Sequence, residues 1–88
     1  MNALVSIITP SFNSAKFIAE TIQSVQNQTY QNWEMIIVDD GSSDETENVV
    51  LSIIEKDKRI QFYKLNQNSG PAVARNTGIE KASGDYMT

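Results

Sequence analysis

The chain has no cysteine and no histidine. The first absence excludes disulfides, zinc–thiolate sites, iron–sulfur clusters and thiol nucleophiles. The second removes Ser-His-Asp catalysis and the commonest metal ligand. Basic residues are outnumbered, 7 against 11 acidic ones, for a net charge of −4. That balance argues against a nucleic-acid-binding domain, which shows a basic patch, and against a polybasic membrane anchor. No apolar run approaches the roughly 18 residues of a membrane span, and Met1-Asn2-Ala3 lacks the charged start of a secretory leader. Glycine-rich phosphate loops are missing as well: neither Gly-x-Gly-x-x-Gly nor Gly-x-x-x-x-Gly-Lys-Ser/Thr occurs. With 88 residues there is room for one small core, burying only roughly 60–65% of the unfolded surface. The expectation is a soluble, acidic, cytoplasmic domain whose chemistry comes from carboxylates, amides, hydroxyls and a few cations.

What the chain does have is alternation. Two short β-branched runs, Leu4–Ile8 and Met35–Val38, are almost wholly apolar and bounded by polar turn residues. That is the pattern of strands covered on both faces. A third run, Ile60–Leu65, alternates more and carries Lys64, as suits a strand nearer a sheet edge. Between them, Phe17, Ile18, Ile22 and Val25 predict one helix from Lys16 to about Asn27. Ser42-Ser43-Asp44-Glu45 reads as a capping box opening a second helix with Val49, Val50, Ile53 and Ile54 on its buried side. Lys56, Lys58 and Arg59 fall at or just past its end, where cations suit the helix dipole. A third helix starts at Gly70-Pro71 and stops at Gly84; Ala74, Gly78 and Ala82 give it a small-residue face that can press close to a sheet. Asp85–Thr88 looks like the approach to a fourth strand. This is the βαβ order of a three-layer αβα fold with a mostly parallel sheet.

In such sheets ligands bind beyond the carboxyl ends of the strands, which singles out Thr9–Asn13, Asp39–Ser42 and Asn66–Gly70. Phe12 can stack on a flat base or belong to the core. Asn13 can bond a ring or open the first helix. Of Asp39 and Asp40, adjacent at a strand end, one faces the cleft; a carboxylate there can accept the N–H of a pyrimidine, or the pair can make an Asx-type turn near a helix start. Arg75 has no acid at i±3 or i±4, so its guanidinium seeks a diphosphate or a carboxylate such as Asp39 or Asp40. Trp33, Tyr30 and Tyr63 read as structural.

Four stretches together resemble the N-terminal part of inverting family 2 glycosyltransferases, which have the GT-A fold. They are Val5 through Asn13, Gln28-Thr29-Tyr30 through Trp33-Glu34, Ile37 through Asp44, and Gly70 through Gly78 with Gly84-Asp85-Tyr86. They occur in family order and cover nearly the whole chain. The resemblance implies a site for a UDP-sugar donor. Pro10 offers backbone to the uracil, Phe12 packs on it, the acid at Asp40 bonds the ring with Asp39 in support, and Arg75 lies near the diphosphate. It also implies that residues 1–88 are the nucleotide-binding half of one GT-A domain. The family's metal-binding Asp-x-Asp falls a few residues past Thr88, and no Asp-x-Asp occurs here. A divalent cation, Mn or Mg, is therefore expected in the full-length enzyme and not on this segment. The general base and the acceptor site are expected further on too, so the segment alone should be inactive; its parent is a cytoplasmic enzyme or one at the inner face of the membrane.

Two rivals fit less well. A receiver-like signalling module carries its acidic pair after the first strand and an acceptor Asp after the third, whereas here the pair follows the second run and Asn66–Gly70 has no acid. A nucleotidyltransferase shows a Gly-rich basic loop after its first strand, and Thr9–Ala15 has neither. Finally, a first strand lying between the second and an incomplete fourth leaves an apolar edge, so self-association through that edge is expected.

Overall fold

The computed structural model describes residues 3–88; Met1 and Asn2, read above for a leader's charge, lie outside them. The elements are β1 (Val5–Ser11), α1 (Ile18–Gln26), β2 (Trp33–Asp39), α2 (Thr46–Ile54), β3 (Ile60–Lys64), α3 (Pro71–Lys81) and β4 (Tyr86–Met87). The strands form one sheet in the order β3-β2-β1-β4, and every pairing is parallel. Ile18 and Ile22 of α1 and Val50 of α2 pack with Trp33, Met35, Ile37 and Ile60 on one face. Ala74 of α3 packs with Ile8, Ile36 and Val38 on the other. Three layers result, and the alternation of side chains along β2 sends odd residues to α1 and α2 and even residues to α3.

β2 is buried along all seven residues. β1 is less covered than its composition suggests: Ser6, Ile8 and Ser11 are buried, but Pro10 is exposed. The reason is its outer neighbour, since β4 pairs only at Val5 and Ser6. β1 also runs past the expected Ile8, because the ladder to β2 continues through Pro10↔Val38 and Ser11↔Asp39. Proline is tolerated there. Ile8 N–H donates to Thr88 O, 2.8 Å away, so even-numbered amides of β1 point toward the β4 flank, and position 10 faces that flank beyond the last pairing. The expected open edge of β1 is therefore shorter than predicted: the β4 segment covers it as far as Ile8.

Local departures have identifiable causes. Phe17 does not join the apolar face; it caps α1 from outside the first turn, with 66% of its surface exposed, while Ile18 and Ile22 carry the packing. The Ser42 capping box does not form. α2 begins at Thr46, whose N–H donates to Asp44 Oδ1 at 3.0 Å, while Glu45 accepts from Asn48 Nδ2 and Ser42 is drawn to Asp39. α3 ends at Lys81, three residues before Gly84, because Ala82 is extended and the next amide bonds elsewhere. Arg59 lies past α2 and serves Trp33: its guanidinium sits 3.8 Å over the indole and pairs with Asp57 at 2.9 Å. Tyr30 donates its hydroxyl to Ala3 O and Tyr63 to Gln61.

The small-residue face of α3 has the expected use. A Cβ on Gly78 would lie 2.6 Å from Ile8 Cγ2 and 3.4 Å from Val38 Cγ2. Gly78→Ala should therefore destabilise by about 1–3 kcal/mol, although alanine favours helix by about 1 kcal/mol. Urea unfolding followed by Trp33 fluorescence measures this, and unchanged or increased stability contradicts the packing account. A second prediction concerns pH. Hydrogen bonds from Arg59, with one from Gln26, hold the Asp57 carboxyl at about 2 against its usual 3.8. Since folding lowers this pKa, its stabilisation is complete above pH 3.8 and is lost as pH falls toward 2. Arg59 is partly exposed, so the amplitude should be at most about 1 kcal/mol. Asp57→Asn should flatten the stability profile in that window and leave neutral pH within the same margin.

Candidate nucleotide site

The carboxyl ends of β1 and β2 meet the amino end of α3, and the two acids after β2 divide between the faces. Asp39 is fully buried on the α1–α2 side. Its Oδ1 accepts Ser11 Oγ at 2.8 Å and Ser42 Oγ at 2.5 Å, and its Oδ2 accepts the Ser42 amide at 2.7 Å. A buried carboxylate is tolerable only with such donors. Next to it, Asn13 sits at φ +48, a left-handed conformation that asparagine accepts more readily than most residues. Its amide N–H donates to Ser42 Oγ (2.7 Å) and its side-chain Oδ1 accepts from Ser43 N (2.9 Å). Ser14 N–H reaches Thr46 Oγ1 at 2.8 Å. The β1–α1 loop is thus stitched to the β2–α2 loop.

Asp40 turns the other way. Its Oδ1 accepts Ser69 N at 2.7 Å and its Oδ2 accepts Gly70 N at 2.9 Å. These are amides at the entrance to α3, so Asp40 caps that helix from a different loop, where a carboxylate also complements the dipole. Gly70 at φ +98 makes the entry possible. Gly41, at φ +81, lets the loops touch: a Cβ there would lie 3.2 Å from Asn68 N.

Between these parts lies a cavity of about 140 Å³ lined by Pro10, Ser11, Phe12, Asp40, Pro71 and Ala74. It is smaller than the roughly 300–1,000 Å³ that encloses a whole drug-sized ligand, and suits one ring of a molecule whose remainder lies outside. Phe12 is 48% exposed, so it forms a wall and not part of the core. A larger hollow of about 480 Å³ lies at the opposite, amino end of the strands, lined by the single loop Thr29–Asn32. It has no charged lining residue and only one loop to shape it, so the carboxyl rim is the better site on topology.

Of the six residues singled out from sequence, Pro10, Phe12 and Asp40 share the cavity. Asn13 and Asp39 stand behind it as struts. Arg75 is exposed on α3, one residue past Ala74 and outside the lining. The alternative of a salt bridge to Asp39 or Asp40 does not occur: those carboxylates are occupied by hydroxyls and amides, and the ion pairs among the described residues are Arg59–Asp57 and Lys64–Glu47. Sequence reasoning missed Ser11, Pro71 and Ala74 as lining residues. The first-turn position of Pro71 was legible, but its contact across the rim was not.

Residues 6–88 match the family described as Glycosyl transferase family 2. An uncharacterized glycosyltransferase of Haemophilus influenzae is 48% identical over 85 residues, which are 97% of this chain. The chain spans 34% of that relative's length. Among solved structures, S. aureus TarS in complex with UDP superposes with a TM-score of 0.87 at 31% identity, over 94% of this chain and 25% of that one. The mannosyltransferase PcManGT from Pyrobaculum calidifontis, in complex with GDP-Man and Mn2+, does so at 0.90 and 26% identity, over 99% of this chain and 26% of that one. An all-parallel β3-β2-β1-β4 sheet between two helices and a third, with its cavity at the carboxyl rim, accompanies that match along nearly the whole sequence: this chain belongs to glycosyl transferase family 2 and has the GT-A fold.

Proposed function

We propose that these residues are the nucleotide-binding half of a glycosyltransferase domain, holding the uridine diphosphate of a UDP-sugar whose sugar the full enzyme moves to an acceptor hydroxyl with inversion. The observation that carries the reading is the ring-sized cavity in which Pro10, Phe12 and Asp40 meet the start of α3. Phe12 supplies a face for stacking, worth about 1–3 kcal/mol per base. Each Asp40 oxygen accepts one amide and keeps a lone pair for the N–H of a pyrimidine. The Pro10 carbonyl points to the flank of β1 beyond the β4 pairing, open to a polar ring edge. Asn13 and Asp39 hold this wall in place. Arg75, exposed on the same helix as Pro71 and Ala74, meets the diphosphate as it leaves the cavity.

The residues present do not fit a divalent cation. No group of three or more Asp or Glu side chains among the described residues could hold one, since Asp39 and Asp40 turn to opposite faces of the sheet and engage different donors. A Mn or Mg ion of the full enzyme would take its ligands from outside these residues, and the base that activates the acceptor would likewise lie outside them. No helix among the described residues is long and apolar enough to cross a membrane. The outer edge of β4, where Tyr86 and Met87 are exposed, is the edge through which self-association would occur; a purely monomeric sedimentation profile at high concentration counts against it.

The reading is tested by an NMR titration with UDP, UMP and uridine. Shifts should cluster at Phe12, Asp40, Gly70, Ala74 and Arg75, with weak affinity. Phe12→Ala should weaken all three ligands by about 1–3 kcal/mol. Arg75→Ala should weaken UDP about tenfold and uridine hardly at all, as loss of a charge-assisted contact to phosphate requires. No response at these residues with millimolar UDP, or an equal effect of Arg75→Ala on UDP and uridine, would overturn it.

A further inference from the structure

β4 poses a mechanical question. It has two residues, 66% and 53% exposed, so its own burial cannot hold it. Its neighbour Gly84 is pressed so close to β1 that a Cβ would lie 2.4 Å from Ser6 Oγ and 2.8 Å from Ser6 N. Leu4 N–H donates to Asp85 Oδ2 at 2.9 Å beside it, and a second contact, outside the strand, meets the approach of Gly84 itself.

Beneath the α3–β4 turn lies a buried anion that the cavity does not use. Glu34, on β2 at the end of the sheet away from the cavity, is 8% exposed. Its Oε2 accepts Ser6 Oγ at 2.5 Å and Ser83 N at 2.7 Å; its Oε1 accepts Gln61 Nε2 at 3.2 Å and Ser83 Oγ at 3.3 Å. Ser6 Oγ in turn accepts Gly84 N at 2.9 Å. Burial disfavours the charge, yet hydrogen bonds from Ser6, Ser83 and Gln61 outweigh it and hold the carboxyl below its usual range. One carboxylate therefore collects β1, β3 and the turn onto β2. No cation pairs with it among the described residues, so its partners are all neutral donors whose geometry it dictates. Past the turn the same register continues, with Asp85 N to Leu4 O at 2.7 Å, Thr88 N to Ser6 O at 2.9 Å and Ile8 N to Thr88 O at 2.8 Å.

We infer that Glu34 is a positioning residue: its ionised carboxylate locks the α3–β4 turn through Ser83 and, by way of Ser6, Gly84, and so sets β4 in register beside β1. β4 is parallel to β1, so its carboxyl end faces the rim that carries Pro10. On the functional reading above, from which this consequence alone is taken, Glu34 fixes from the far end of the sheet the register of the strand that runs toward the donor rim. The lock itself rests only on the contacts just given.

Residue-resolved amide hydrogen exchange on this chain tests it. Glu34→Ala should speed exchange at Ser83, Gly84, Tyr86 and Thr88 by roughly tenfold or more, the range expected when hydrogen bonds to a charged acceptor are lost. Val38 and Ala74 should stay within about threefold of the parent, a margin below the roughly 1 kcal/mol of one ordinary hydrogen bond. Glu34→Gln, which keeps an acceptor for Ser83, should lie between. Ser6→Ala should free Gly84 while leaving Ser83 protected, and with Glu34→Gln it decides the matter if Glu34→Ala does not fold. Uniform acceleration across the sheet, marking Glu34 as ordinary core, or unchanged exchange at Ser83–Thr88, refutes the inference. The UDP titration bears separately on the cavity, so failure of either reading is distinguishable from failure of the other.

Discussion

A strand buried along its whole length here carries a carboxylate near its start and two at and beyond its end. Apolar burial drives β2 into the middle of the sheet, but Glu34, Asp39 and Asp40 go in with it. Unpaired buried anions are expensive, and among the described residues none of the three has a cation. Each must collect neutral donors from whatever lies near, and that requirement arranges the loops. Asp39 gathers Ser11 and Ser42, Asp40 gathers the amides entering α3, and Glu34 gathers Ser6, Gln61 and Ser83.

The same economy explains why one short sequence motif does two jobs. Adjacent residues at a strand end face opposite ways, so Asp39 binds the rim to the α1–α2 layer and Asp40 binds it to α3. The cavity lies where the second binding leaves space, walled by an aromatic that has no place in the core and by a proline that starts a helix. Backbone amides and hydroxyls, held by acids, tie the loops of the rim together. Side chains of larger reach, Phe12 and Arg75, are left at the surface.

Much of this could be read in the sequence, for reasons that also mark where reading stops. β2 and the order of elements were legible because apolar runs, and the Gly70-Pro71 helix start, are local signals. Gly78 was legible because a glycine in mid-helix has a cost that only close packing explains. The last residues of β1 were not, since Thr9-Pro10-Ser11 has turn chemistry and only the ladder to β2 makes it strand. Ser42 misled for a similar reason: the box Ser-x-x-Glu is a genuine local preference, overridden by a buried carboxylate three residues back. In the site, Pro10, Phe12 and Asp40 could be placed at one rim by topology. The amides that Asp40 holds lie 29 and 30 residues away, a distance over which no local pattern speaks.

Pro10 brings a final consequence. A strand laid along the outer flank of β1 meets a donor at Ile8, and two residues later, where the next is due, a ring instead. The zipper has been filed smooth at that tooth. The flank therefore loses its backbone donor level with the cavity, and a parallel neighbour of β1 cannot carry an unbroken ladder past Pro10.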